Sequence, residues 1–431
     1  MKGFIESITP QLIQWRRDFH QYPELGFTEY VTSYKLAKEL ERLGFTIHIG
    51  KDVMKQEARL GIPSSKELQF YESKAIKHGV EKDILDRMQG GMTGVIATWN
   101  TGRPGDHVAL RFDIDALPIQ ETRETSHFPH QQGFTSLNEQ VMHACGHDGH
   151  MTIGLGVASF ISDYHERLCG KFTLLFQPAE EGGRGAKAIT ANGWLDDVDY
   201  FYSGHIGIES LPVGTVAATV DGFLASSKLN VTFKGVSSHA GMKPELGKNA
   251  LLAASSAVSS LYGISRHSGG ITRINVGKMM AGSGRNIIPA DAYLEIETRG
   301  ETEEMNSYMQ NEAKRIIKAS AMMQGVEYQI EAVGQTEQLK GSNELISSIE
   351  IACDKGKYIE QVWPVALVSG SEDASFMMNR VQANNGLATY MLFGTPLDFP
   401  HHHPSFDFQE DVLPVAVEAL TNIIQTNHSN K

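Results

Sequence analysis

The chain has 431 residues, of which 41% are apolar and 21% charged, enough for two domains with a sizeable core and unlike a disordered chain. Its 38 Lys and Arg against 51 Asp and Glu leave a formal charge of −13, and the basic residues form no long runs, which excludes a nucleic-acid footprint or a polybasic membrane patch. An anionic substrate would have to be recognised by a few local cations against this overall field.

The first twenty residues lack the uninterrupted apolar core of a signal peptide, and no stretch approaches the roughly 20 apolar residues of a membrane span. Three scattered cysteines, Cys145, Cys169 and Cys353, do not make a disulfide framework, so a reducing cytoplasm is the expected compartment. Apolar residues at helical spacing predict helices over 4–19 and 30–43. Residues 51–90 are polar, mixed in charge and partly helical in pattern, and read as an excursion with no chemistry of its own.

Beyond it, "TGVIATW", "HVALRFDID", "KFTLLFQP" and "DYFYSGHI" are short apolar runs separated by segments long enough for helices. This alternation predicts an α/β sheet with buried strands, whose ligands gather at the strands' carboxyl ends. Asp113, Asp115, Glu180, Glu181 and His205 fall at such ends. From about residue 224 the order becomes βαββαβ, the ferredoxin-like pattern, which predicts a separate inserted domain. After about residue 333 the chain returns to the core with "PVALVSG" and "ATYMLFG" as strands.

The stretch "MHACGHDGH", residues 142–150, concentrates metal-binding side chains. A helix would place His143, His147 and His150 on one face. Gly146 and Gly149 favour a turn instead, in which Cys145 and His147 converge on one ion while Asp148 orients the site from outside. Burying so many polar groups together is costly unless something binds them. In "FQPAEEGGRG" two adjacent carboxylates follow an apolar strand, so that one can ligate while its neighbour takes a proton from water. Spacing alone does not decide whether His205 takes part, or which of His401, His402 and His403 does. No phosphate loop, dinucleotide spacing or nucleophile elbow is present, and Ser371 is a poor nucleophile candidate.

Taken in order, "WRRDFHQYPELGF", "RFDIDALPI", "MHACGHDGH", "FQPAEEGGRGA", "HIG", "SSHAGMKPELGKNAL", "GSGRNIIPADAYLEIETRG", "SEDASF" and "HHHPSFDF" resemble the two-metal amidohydrolases, a family that includes hippurate hydrolase, aminoacylase and carboxypeptidase G. The resemblance implies metal ligation by Cys145, His147, Glu181, His205 and His402, with Glu180 as general base and His143 and His150 outside the ligand set. Where the peptidase branches carry a ligating His-x-Asp, this chain has Asp113 and Asp115, which places it in the hippurate-hydrolase branch and gives Asp115 an orienting role in catalysis. In relatives the counterpart of His239 reaches across a dimer and polarises the scissile carbonyl. Asn249, Arg285 and Asn286 match positions near the substrate carboxylate, Arg285 being its natural bidentate partner.

The expectation is therefore a mixed-sheet, metallopeptidase-like catalytic domain over 1–223 and 333–431, with a ferredoxin-like dimerisation lid over 224–332. The expected reaction is hydrolysis of an N-acyl amino acid amide. The likeness of "TGRPG", "DDVDYF" and the 51–90 excursion favours p-aminobenzoyl-glutamate, and the alternative is a general hippurate-type aminoacylase or a weakly active subunit. Two divalent ions are implied, zinc being favoured by the thiolate and manganese by the family. The implied assembly is a homodimer or a hetero-oligomer with a homologous B-type subunit.

Overall fold

The computed structural model describes residues 2–354 and 356–428. Among these described residues twelve strands form two sheets. They are β1 (Thr46–Ile49), β2 (Val95–Asn100), β3 (His107–Asp113), β4 (Lys171–Gln177), β5 (Tyr200–Ser210), β6 (Thr215–Phe223), β7 (Ala225–Lys234), β8 (Thr272–Ala281), β9 (Asp291–Gly300), β10 (Glu327–Thr336), β11 (Gln361–Gly370) and β12 (Leu387–Thr395). The chain divides into two compact units: Met1–Gly222 with Leu339–Val368 and Asp373–Lys431, and Phe223–Gln338 with Ser369–Glu372. Residues 223, 333–338 and 369–372, expected to belong to the core, thus group with the second unit.

The first unit is built on the sheet β1-β2-β4-β3-β5-β12-β6-β11. Its centre is parallel, with β3 paired to β4 and β5, and β5 to β12. Antiparallel β1, β2 and β6 flank it. β3 is buried along its whole length and β4 over all but its first residue, because helices cover the sheet as parallel strands require. Helix Lys2–Gln21 contributes Leu12 and Phe19 to the core, helix Tyr30–Arg42 contributes Leu36 and Leu40, and helix Val412–Asn427 contributes Val415, Leu420 and Ile424. Each such side chain stabilises by about 1.5–3 kcal/mol on burial.

Helix His147–Tyr164 contains Gly149, which corrects the inference that this glycine opposes helix. Gly149 is there for close packing: a Cβ would lie 2.5 Å from Ile206 Cδ1 and 2.7 Å from Phe408 Cζ. The true turn glycine is Gly146, the residue before the helix, in the left-handed region at φ +88°. The 51–90 excursion forms helices Ser65–Lys77, opened by a Ser64–Glu67 capping box, and Lys82–Met88. Ala75, Val80, Leu85 and Met88 pack with Tyr30 and Val31 in a small core of their own.

The second unit is an antiparallel sheet in the order β10-β7-β9-β8. Helices Ala250–Leu261 and Glu303–Gln324 connect its strands in the βαββαβ sequence, and Ala253, Ala257, Ile317 and Ala321 pack on Leu229, Val231, Leu294 and Ile296. Among the described residues no helix is long and apolar enough to cross a membrane.

Candidate metal centre

Because β4, β3, β5 and β12 run parallel, their carboxyl ends lie together. The crossover helix His147–Tyr164 returns antiparallel to β3, so its N-terminus and the preceding Cys145–Gly146 turn sit at that same end. The loop after β12 is drawn in by a 2.7 Å bond from His402 N–H to the Ala144 carbonyl. His402 itself adopts φ +65°, a left-handed conformation uncommon for a side-chain-bearing residue and characteristic of functional loops.

The donor atoms of Cys145, His147 and His205 lie within 4.8 Å of one another, as do those of Cys145, Glu181 and His402, and those of His147, Glu180 and Glu181. Cys145 therefore belongs to two triads. Cys145 Sγ is 3.5 Å from His205 Nε2, and His402 Nε2 is 3.4 Å from Glu181 Oε1. Glu180 Oε2 lies 3.9 Å from His147 Nε2.

Hydrogen bonds fix the ring orientations. His147 Nδ1 is 2.9 Å from the Asp115 carbonyl and His205 Nδ1 is 2.7 Å from the Ile206 carbonyl. A carbonyl only accepts, so in both neutral rings Nδ1 carries the proton and Nε2 presents its lone pair to the cluster. His147 Nε2 is buried and has no hydrogen-bond partner, as expected of an atom reserved for a cation. The donor set fits a divalent metal.

Asp115 organises the site from below: its two oxygens accept the N–H groups of Glu180 (3.1 Å) and Glu181 (3.0 Å), while Oδ1 lies 3.3 Å from His147 Nδ1. Burial, then the Glu181 carboxylate, push the Cys145 thiol well up in the absence of a cation. Burial opposes a charge on His147, but Asp113 and Asp115 outweigh it and raise its pKa. Burial and neighbouring His150 and His401 lower that of His205.

Asp113, His147 and His150 form a further close triad. Asp113 is bound by His150 Nδ1 at 2.6 Å and by Arg111 Nη1 at 2.8 Å, and His150 Nε2 accepts the Ile206 N–H at 2.9 Å. Both nitrogens of His150 are thus engaged by protein groups. His143 is buried with neither ring nitrogen hydrogen-bonded, and burial lowers its pKa to about 3, so it stays neutral. Asp148, expected to orient the site, binds Arg16 Nε at 3.0 Å and His20 Nδ1 at 2.8 Å in the helix Lys2–Gln21, which anchors the helix it opens to the amino-terminal one.

Sequence reasoning missed Arg111, Gln177 and Asp373. Arg111 Nε donates to Gln177 Oε1 at 2.7 Å and Nη2 to Asp373 Oδ1 at 3.3 Å, and Gln177 Nε2 donates to Asp373 Oδ1 at 2.8 Å. The signal was an arginine inside the fully buried strand β3, since a buried charge demands partners.

In the second unit, His239 pairs in a short antiparallel bridge with Ile287, and the Ala240 N–H donates to the Asn286 carbonyl at 2.9 Å. The structure thus brings His239, Arg285 and Asn286 to one exposed edge. His239 Nδ1 accepts the Gly241 N–H at 3.1 Å, so in the neutral ring Nε2 carries the proton and is a donor. Asn249 Oδ1 accepts the Leu252 N–H at 3.0 Å, capping helix Ala250–Leu261.

Comparison with known proteins matches residues 109–426 to the model of peptidase family M20/M25/M40. The chain is 44% identical over 97% of its length to an indole-3-acetyl-aspartic acid hydrolase from Enterobacter agglomerans, covering 96% of it. It is 43% identical over 97% of its length to one of the subunits of p-aminobenzoyl-glutamate hydrolase from Escherichia coli, again covering 96% of that chain. The crystal structure of an aminobenzoyl-glutamate utilization protein from Klebsiella pneumoniae superposes with a TM-score of 0.85 at 38% identity, over 99% of this chain and 98% of that one.

Proposed function

Given that the chain belongs to peptidase family M20/M25/M40 and is a metal-dependent hydrolase, we propose that it cleaves the amide bond between an aromatic acyl group and an acidic amino acid, with p-aminobenzoyl-glutamate as the leading substrate. The observation that carries this reading is the pair of triads sharing Cys145, with Glu180 beside them. Two of the relatives above are named for conjugates of just this chemical type, one of glutamate and one of aspartate. Cys145, His147, Glu181, His205 and His402 would hold two divalent ions, which supply the charge that polarises an amide carbonyl and acidifies a water.

Glu180 accepts a proton from the attacking water and passes it to the leaving amine nitrogen, so no covalent intermediate is required. Asp115 fixes the backbone of Glu180 and Glu181 and the tilt of His147. The second unit acts as a dimerisation lid, from which the partner subunit's His239 donates its Nε2 proton to the carbonyl oxygen. Arg285, with Asn249 and Asn286, receives the substrate carboxylate. Zinc suits the thiolate and manganese the family resemblance, and a reducing cytoplasm suits a ligating cysteine.

The test is amino acid release from p-aminobenzoyl-glutamate, indole-3-acetyl-aspartate and hippurate side by side, after reconstitution with zinc or manganese and with metal content measured on the same sample. Rapid cleavage of the acidic conjugates supports the reading, whereas a preference for hippurate makes the protein a general aminoacylase. Glu180→Gln should keep its metal and lose activity by about 10²–10⁴-fold; near-normal turnover would sink the base assignment. Since the Escherichia coli relative is named as one subunit of its hydrolase, the assay is repeated with a homologous B-type partner, and a gain in rate and mass would make the active form a hetero-oligomer.

A further inference from the structure

The turn bearing Glu180 and Glu181 is gripped by three buried carboxyl groups, of which Asp115 is the one already given a role. Asp373 Oδ2 accepts the N–H groups of Gly185 and Ala186 at 3.2 and 3.0 Å. Glu29 Oε1 accepts the N–H of Ala179 at 2.8 Å, and Glu29 Oε2 accepts the Thr93 hydroxyl at 2.6 Å. Together these groups hold the amides of 179, 180, 181, 185 and 186.

Glu29 stands immediately before helix Tyr30–Arg42, yet its side chain makes no capping bond to that helix. Glu24 does that instead, accepting the Val31 and Thr32 N–H groups at 3.1 and 2.7 Å. The fully buried Glu29 side chain is therefore committed to the turn and to Thr93. Burial, then the charge of Asp115, raises Glu29 to about 8, an unfavourable place to keep a carboxyl for packing alone. Ala179 needs the restraint. It sits at φ +53° without being glycine, and a Cβ on neighbouring Gly26 would come within 3.0 Å of its Cα, so the turn is closely packed in a conformation side chains disfavour.

We propose that Glu29 is a positioning residue for the general base: by holding the Ala179 N–H it sets the direction in which Glu180 leaves the turn. This rests on the reading of Glu180 as the base. Shortening the side chain withdraws the acceptor while keeping a carboxyl group, and a displacement of about 1 Å at a reacting group can lower a rate by up to about 10²-fold.

The experiment compares Glu29→Asp, Glu29→Gln and the control Glu24→Gln in the metal-loaded full chain, measuring kcat, KM, metal content and Tm. Glu29→Asp should lower kcat by about 10- to 100-fold with KM and metal content little changed. Glu29→Gln keeps an acceptor oxygen at full reach and should restore most of kcat. Glu24→Gln should lower Tm through the same helix while leaving kcat intact. Wild-type kcat in Glu29→Asp, or equal kcat losses in Glu29→Asp and Glu24→Gln, would overturn the proposal. If Glu29→Asp does not fold, Thr93→Val, which frees the other oxygen, takes its place with the same expected direction, and wild-type kcat there overturns it. An inactive Glu180→Gln beside a fully active Glu29→Asp rejects the positioning role alone, whereas an active Glu180→Gln rejects the base on which it depends.

Discussion

The carboxyl end of the first unit's sheet and the exposed edge of the second unit use histidine in opposite ways. His147 and His205 are 1% and 6% exposed and donate their Nδ1–H groups to main-chain carbonyls, so in the neutral ring each offers a lone pair on Nε2. His239 is exposed and receives a main-chain N–H on Nδ1, so it offers a proton. The backbone group placed beside one nitrogen thus decides whether the other presents a lone pair or a proton. It also sets how each region should respond to damage, since the first is interlocked and the second stands alone.

The largest effect should follow Cys145→Ala, because that residue belongs to two of the close donor triads proposed to hold metal. Metal content should fall, and activity by more than about 10³-fold, since the charge stabilisation supplied by metals is worth several kcal/mol. Two retained ions by elemental analysis would break the contrast at its strongest point. Next comes His239→Ala, expected to lower kcat by about 10²–10³-fold, the magnitude of one lost oxyanion donor. Its Tm and metal content should be unchanged, and a loss of metal would mean that the two regions are not independent.

Arg285→Lys should be milder, raising KM for an acidic conjugate about 10-fold as a bidentate fork becomes a point charge. An equal change for a substrate whose carboxylate is amidated would remove Arg285 from recognition. The smallest effect concerns pH and touches the first region only. Burial opposes charge on His20, but hydrogen bonds to Asp148 and Glu121 raise it to about 9, against about 6.5 when unfolded. The folded chain then holds a proton that the unfolded chain releases, so this contribution is full below about pH 6.5 and is lost as pH rises through about 9. Thermal melts across that window should show a decline that His20→Gln flattens.

Much of this was legible beforehand. Helix spacing in 4–19 and 30–43 and the apolar runs of β2 to β5 are local signals, and they appear as Lys2–Gln21, Tyr30–Arg42 and the named strands. β6, whose first six residues are all buried and so show no alternation, and helix Val412–Asn427 were not foreseen. In the site, Cys145, His147, Glu181, His205 and His402 do converge, but choosing His402 over its neighbours needed the family resemblance and not spacing. The supports were invisible for a physical reason. Glu29 meets Ala179 across 150 residues and Asp373 meets Gly185 across 188, and no periodicity encodes a partner that distant.

Gly149 has a consequence for anyone altering this protein. The helix that delivers His147 rests on Ile206 and Phe408 with less room than a methyl group needs, and Ile206 adjoins His205. The separation between the two histidines is thus gauged by the absence of one carbon. A bulkier residue at position 149 would act as a shim, prising the helix from the sheet and parting His147 from His205, so a library meant to retune this cluster could begin at a residue outside it.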